Sequence, residues 1–279
     1  MIKIKGKSIH QIIIHIVLLI ICAVHLYPML WIGGASLKTN TEIWDNSAGI
    51  LPEVPQFNNY VRAFQQANFV SYFGNTILFA AGVVIIMLIL ASTSGYVLSR
   101  FEFPLKKFLM GIIMFTMLIP RATTIIPLFT LVRDLGLMNT RLGYILAFTS
   151  KSITLAVILF MGFYTGIPKE MEESGKINGC SFIQQFVYII FPLTKPIIAS
   201  VAILNTIGAW KEFFIPLVFT LTKPELRTLS VGMYAFVGEH STDWAGMTAA
   251  ASISILPMVV VFLAFQRYFI DGLAGSVKG

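Results

Sequence analysis

Charged side chains stand at four positions where the surrounding sequence is apolar: Arg121 directly after Pro120, Lys151 within Gly143–Ile167, and Lys211 with Glu212 within Pro196–Leu221. A charge at the centre of a membrane helix costs about 2.5–3.5 kcal/mol on insertion scales, so such residues face protein or water. Two roles are open to them. They could line a polar path with Asn205, Trp210 and Phe213, the two aromatic rings offering flat apolar faces of the kind that stack on sugars. Alternatively they pair internally, Lys151 or Arg121 with Glu212, or snorkel towards the membrane surface. Bond-making chemistry has less support. No His-Glu-x-x-His, cysteine pair or Gly-x-Ser-x-Gly is present, and His10, His15, His25 and His240 share no helical spacing suited to a metal. Gly6-Lys7-Ser8 ends like a phosphate-binding loop, but Met1 stands where its first glycine would be and no strand precedes it. The chain is therefore expected to hold no metal, no cofactor and no ATPase of its own.

The elements that must position these residues are apolar and long. The sequence is 56% hydrophobic and only 12% charged, with a mean hydropathy of +0.80. A soluble chain has about 25% charged residues, so lipid is the solvent for most of this one. Six stretches are long enough to cross a hydrocarbon core: Gln11–Ile32, Ser71–Leu98, Phe108–Leu131, Gly143–Ile167, Pro196–Leu221 and Gly246–Ile270. The first follows a basic start (Lys3, Lys5, Lys7), but it is too long for a signal peptide and no small-x-small cleavage site follows, so it is read as a retained span. Cys22 in an apolar span and Cys180 in a polar stretch are not expected to form a disulfide. Pro28, Pro120, Pro127, Pro216 and Pro257 fall inside spans, either kinking helices around a pathway or reflecting ordinary membrane-helix composition.

Charge sets the expected orientation. With the N-terminus inside, the inner segments hold Lys3, Lys5, Lys7, Arg100, Lys106, Lys107, Lys169, Lys176, Lys195, Arg267 and Lys278. The outer ones hold only Lys38, Arg62, Arg133, Arg141, Lys223 and Arg227. Inner loops collect Lys and Arg, so both termini and the polar segment 168–195 are expected in the cytoplasm. In that segment Pro168 can open a helix whose first turn carries Glu170, Glu172 and Glu173, where carboxylates complement the helix dipole. Gly179 suits the left-handed position that closes a short helix. Ser181 and Gln184 then form a capping-box pattern, followed by an apolar stripe of Phe182, Ile183, Phe186, Val187 and Ile190 and by Pro192 and Pro196. The expected product is a helix–turn–helix that docks.

This segment resembles the cytoplasmic loop of permease subunits of ATP-binding-cassette (ABC) importers, a Glu-Ala-Ala triplet with a later glycine and proline. Glu173, Ser174 and Gly175 stand at the triplet, Gly179 at the glycine and Pro192 at the proline. Ser174 and Gly175 replace alanines, and Asn178 and Cys180 also depart from the usual Asp and Ala. Gly136-Leu137-Met138-Asn139-Thr140, Trp210-Lys211-Glu212-Phe213 and the tail from Gln266 through Leu273 to Gly279 extend the similarity, and together they resemble the smaller permease of the maltose-type, carbohydrate-importing branch.

The resemblance implies an all-α membrane protein with one transmembrane domain over residues 1–279, in a bacterial cell membrane. Its implied partners are a second permease, two ATPase subunits that carry ATP and Mg, an extracytoplasmic solute-binding protein and a carbohydrate. Glu170, Glu172, Glu173, Ser174, Gly175, Gly179, Ser181 and Phe182 would couple to the ATPase. Arg121, Lys151, Asn205, Trp210, Glu212 and Phe213 would belong to the substrate path, of which the partner permease often supplies more. The outer loop Thr222–Ala245 would reach the binding protein through Tyr234, Phe236, Glu239 and Asp243, unless it is a plain connector. The competing reading is an ion-coupled carrier working alone, which needs acids near the midplane and often repeated halves; Glu212 is the candidate acid and no repeat is evident.

Overall fold

The computed structural model describes residues 9–66, 68–120, 123–238 and 241–276. They form helices and connecting turns, and the only extended pairing among them is an isolated bridge between Val237 and Thr242. Long apolar runs favour helices because each backbone donor then finds its acceptor inside its own segment. In chain order the helices are α1 (Ile9–Ala35), α2 (Asn40–Asp45), α3 (Asn58–Gln66), α4 (Phe69–Arg100), α5 (Lys106–Thr116), α6 (Ile125–Asp134) and α7 (Arg141–Thr165). There follow α8 (Glu170–Ile177), α9 (Phe182–Gln184), a π-helical turn Gln185–Ile190, and α10 (Phe191–Leu193). The last four are α11 (Lys195–Lys211), α12 (Phe214–Phe219), α13 (Leu229–Gly232) and α14 (Trp244–Ser276).

Among the described residues α1, α4, α7 and α14 are each long and apolar enough to cross a membrane, and residues 182–193 with α11 form a fifth candidate bent by 75°. Two of the six expected stretches are not single helices. Phe108–Leu131 is divided between α5 and α6, with Pro120 in the gap. Proline lacks the donor that continues a helix and biases the residue before it away from helical geometry. Pro196–Leu221 is divided at Glu212, which is extended (φ −67°, ψ 126°). Glu212 lies four residues before Pro216, the carbonyl that a proline ring would strike in an unbroken helix. Its own carboxylate accepts from the Ile215 amide at 3.2 Å and so begins α12. Pro28 and Pro257, by contrast, lie inside α1 and α14.

The chain divides into two compact units, Met1–Phe69 with Met233–Leu256 and Val70–Gly232 with Pro257–Gly279. The first has small apolar clusters, Ala35 with Ile43, Trp31 and Ala245, and Ala63 with Phe236, Ala249 and Ala250. Polar groups tie its irregular backbone. The Lys38 ammonium, 1% exposed, donates to the carbonyls of Asn46 (3.0 Å) and Gly49 (2.7 Å). Asn59 donates to the carbonyls of Ser36 and Lys38. Residues 10–30 of α1 are exposed throughout.

The second unit is built on α4, α7 and α11. Phe79, Val83, Met87 and Ala91 recur every fourth residue on α4 and are fully buried. The upper pair packs with Tyr144, Phe148, Ala209, Ile215 and Phe219, and the lower pair with Val157, Phe160, Tyr164 and Val201. Between apolar helices in lipid, close packing rather than water exclusion is the attraction, so small residues let backbones approach. Gly95 is such a residue. A Cβ there would sit 2.8 Å from the Phe160 Cβ and 3.1 Å from the Met161 amide nitrogen, which are not flexible ends that can swing away. Gly95→Ala is expected to destabilise the protein by about 1–3 kcal/mol through overpacking. Gly111→Ala in α5, where nothing lies within 4 Å of the new carbon, should be neutral or stabilising by about 0.5–1 kcal/mol. Thermal unfolding in detergent, followed by size-exclusion chromatography, checks the pair; equal midpoints for the two variants would contradict the close α4–α7 approach.

Candidate functional site

The segment after α7 is shaped by local signals. Pro168 precedes α8, whose first turn carries Glu170, Glu172 and Glu173. Gly179 closes the helix in the left-handed region (φ +79°). Its amide donates to the Lys176 carbonyl (3.0 Å) and the Cys180 amide to the Gly175 carbonyl (3.0 Å), the paired bonds of a Schellman motif. Ser181 and Gln184 form the reciprocal capping box. The chain then passes through the π-helical turn, where the buried Gln185 donates to the Cys180 carbonyl at 2.9 Å. A π turn shifts the helical register by one residue, which is how a polar residue outside the apolar stripe comes to face inward.

The carboxylates of α8 part company. Glu170 and Glu173 are exposed, as are Ser174, Gly179, Ser181 and Phe182. Glu172 turns inward and contacts Arg100 at the end of α4, Nε to Oε1 at 2.7 Å, the side chains being 5% and 16% exposed. Arg100 also donates to the Ile167 carbonyl (2.6 Å), and the Tyr96 hydroxyl donates to Glu172 (3.3 Å). The Tyr96 ring packs on Phe182 (5.7 Å) and Phe186 (4.9 Å) of the second arm. Glu172 is thus not on the outer face where the sequence expected it, because a buried guanidinium holds it. Gly175 is buried as well; a Cβ there would collide with the tip of Ile189, 2.5 Å away, and touch the Gln185 side chain at 3.4 Å. The outer face carries apolar side chains instead, with Ile177 87%, Ile183 69% and Tyr188 73% exposed. Sequence reasoning missed Tyr96 and Arg100 as partners of this segment. Arg100 was visible only as a basic residue ending a span.

The polar residues of the apolar stretches form a second group. Lys151 and Glu212 approach to 3.8 Å, with side chains 18% and 14% exposed, which favours internal pairing for these two. A cavity of about 590 Å³ is lined by Ser152, Asn205, Lys211, Glu212, Phe213 and Phe214, with Phe148, Leu155 and Gly208 among its apolar walls. A smaller cavity of about 280 Å³ is lined by Lys151 with Thr116, Thr124, Ser150, Ser152 and Thr154. Hydroxyls, an amide and an ion pair beside aromatic rings can bind a polyhydroxylated ligand by hydrogen bonds and ring contact. Trp210 packs edge-to-face on Phe73 (5.7 Å), and its carbonyl accepts from Ser230 at 2.8 Å. It is absent from the residues lining either cavity. Arg121 lies outside the described residues.

The loop 222–245 is more structural than its composition suggested. Tyr234 is 59% exposed, but Phe236 is 3% exposed and packs with Ala63, Ala249 and Ala250. Asp243 caps α14 through the Gly246 amide (3.0 Å), accepts from Asn40 (3.1 Å) and pairs with Arg62 (3.2 Å). Neither Phe236 nor Asp243 is therefore a free contact group. Glu239 lies outside the described residues. Asn75 at the start of α4 donates to the carbonyls of Glu225 and Arg227 and holds the first part of the loop down. No cluster of metal-ligating side chains occurs among the described residues.

Known proteins resemble this chain in sequence and in fold. The chain is similar to the melibiose/raffinose/stachyose import permease MelC of Bacillus subtilis strain 168, with 34% identity over 96% of each chain. It is similar also to the diacetylchitobiose uptake permease NgcG of Streptomyces coelicolor, with 30% identity over 95% of this chain and 86% of that one. Among solved structures, a bacterial ABC transporter involved in import of the acidic polysaccharide alginate superposes with a TM-score of 0.80 and 25% identity, over 95% of this chain and 98% of that chain. Residues 87–274 match the family of binding-protein-dependent transport system inner membrane components. The chain belongs to that family, the multi-pass membrane permeases of ABC importers, which are transport subunits and not enzymes.

Proposed function

We propose that this chain is one of two permeases of an ATP-driven importer for an oligosaccharide, and that its segment 168–195 is the cytoplasmic handle gripped by an ATPase partner. The observation that carries this reading is the outer face of the segment. The charged groups Lys169, Glu170, Glu173 and Lys176 are exposed, as are Ile177, Ile183 and Tyr188, on a helix pair fixed by a Schellman motif and a capping box. A mixed surface of apolar side chains and charges of both signs is what a protein groove can hold. The excess of Lys and Arg in the expected inner segments supports a cytoplasmic location for it and for both termini. Six crossings follow if α5 with α6 makes the third and α11 with α12 the fifth, in one transmembrane domain over residues 1–279. The assembly would comprise a second permease, two ATPase subunits holding ATP and Mg, and an extracytoplasmic binding protein.

The substrate class is supported by the sugars named for the relatives and by the hydroxyl-lined cavities. Asn205, Glu212 and Phe213 are assigned to the path, with Lys151 holding Glu212 in place; Trp210 supports the wall from Phe73. Tyr234, whose ring is 59% exposed, is assigned to meet the binding protein. Glu212, the acid that an ion-coupled carrier would need, is instead engaged within the chain, facing the Lys151 ammonium at 3.8 Å and accepting from the Ile215 amide.

Glu173→Lys in the reconstituted importer is expected to cut binding-protein-stimulated ATP hydrolysis about tenfold or more, the effect of reversing a charge at an interface. Stimulation equal to the unsubstituted complex would remove Glu173 from the handle. A strain lacking this chain should lose uptake of at least one of melibiose, raffinose, stachyose or diacetylchitobiose while keeping glucose uptake. Unaltered uptake of all four would contradict the oligosaccharide assignment.

A further inference from the structure

The segment 168–195 joins the membrane helices covalently at two places, the end of α7 and the start of α11. A third attachment is not covalent. Arg100 is the last residue of α4, far from the segment in sequence, yet its guanidinium contacts Glu172 in the first turn of α8 at 2.7 Å. The same group donates to the carbonyl of Ile167, in the short connector between α7 and α8, at 2.6 Å. One turn earlier on α4, Tyr96 donates to the other carboxylate oxygen of Glu172 (3.3 Å). The Tyr96 ring, 1% exposed, is closed in by Phe182 and Phe186 of the second arm and by Tyr164 of α7. One end of one helix thus holds the connector, the first arm and the second arm.

We infer that Arg100 and Tyr96 form a latch through Glu172 that makes α4 travel with α8, so that motion imposed on the segment enters the membrane through α4 as well as through α7 and α11. The inference rests on the reading of segment 168–195 as the element an ATPase moves. The physical ground is rigidity. The connector 166–169 is a run of short turns anchored only at Ile167, whose side chain is buried and whose carbonyl meets Arg100, and turns beyond such an anchor can absorb motion. A paired charge with both partners largely shielded from water resists separation, because separation leaves each charge uncompensated. Arg suits the role better than Lys: its planar fork serves the carboxylate and the carbonyl at once. Arg100 and Tyr96 are positioning residues, since they act through Glu172 and touch neither ATP nor cargo.

Spin labels at Leu90 on α4 and Lys176 on α8, both exposed, report the coupling in the complete complex with Cys22 and Cys180 replaced by serine. The probe is ATP with vanadate. With Arg100 intact, the Leu90–Lys176 distance should be the same in the nucleotide-free and vanadate-trapped states. Arg100→Gln should make it shift between the two states by several ångströms, and Arg100→Lys, which keeps the charge but not the fork, should give a smaller shift. A distance that already shifts with Arg100 intact, or that stays fixed in Arg100→Gln, overturns the latch. If the Arg100 variants fail to assemble, Glu172→Gln, which leaves the Arg100 bond to the Ile167 carbonyl in place, decides alone: a distance that stays fixed in it overturns the latch. Absence of ATPase chains from the unsubstituted complex sinks the docking reading, and is distinct from a latch that fails in a complex still holding them.

Discussion

A backbone amide in hydrocarbon has no water to turn to, so each break in an apolar helical stretch has to be closed by the protein itself. This constraint explains where the chain is irregular and what stands there. The stretch from Lys195 to Phe219 breaks at Glu212, and the side chain at the break caps the next helix by accepting from Ile215. The stretch from Lys106 to Asp134 breaks around Pro120, and hydroxyls gather nearby, Thr116 meeting Thr154 at 2.8 Å. The breaks and the polar side chains thus belong together. A polar group costs less beside a broken helix than in a regular one, and a cavity forms where the two coincide.

The segment after α7 follows the opposite logic. It is short, and beyond the Phe186, Ile189 and Ile190 side chains that pack on the core it is held by polar groups. Its ends are fixed by backbone caps, and its base by the Arg100 contact with Glu172 and Ile167. Replacing a buried ion pair by apolar residues is often neutral for stability, so a pair retained here points to a requirement for one geometry rather than for tightness. The exposed arm can then present Glu170 and Glu173 without being free to turn.

The helical class and the local punctuation could be read from the chain, because each rests on neighbours in sequence. Gly179 and the Ser181–Gln184 pair act within a few residues, and four of the six stretches chosen by hydropathy fall on the long helices α1, α4, α7 and α14. Long-range facts could not be read. Nothing in Glu170, Glu172 and Glu173 distinguishes the one that meets Arg100, since the choice depends on where α4 ends in space. Phe236 looked like an outward aromatic because a loop has no periodicity to betray a buried face, whereas it fills a cluster with Ala249 and Ala250. Trp210 was expected on a path for its ring; Phe73, distant in sequence, claims that ring. The prolines announced irregularity but not its form, and the interruption at Glu212 lies four residues upstream of its cause.

All of this converges on the claim that segment 168–195 is a handle on the cytoplasmic side for an ATPase. The most direct test is the sidedness of a single cysteine at position 176, in a chain with Cys22 and Cys180 replaced by serine, probed with a membrane-impermeant maleimide on intact cells and on inverted vesicles. The account predicts labelling in inverted vesicles alone, and protection there when the ATPase subunits are bound. Labelling of that cysteine on intact cells would contradict it.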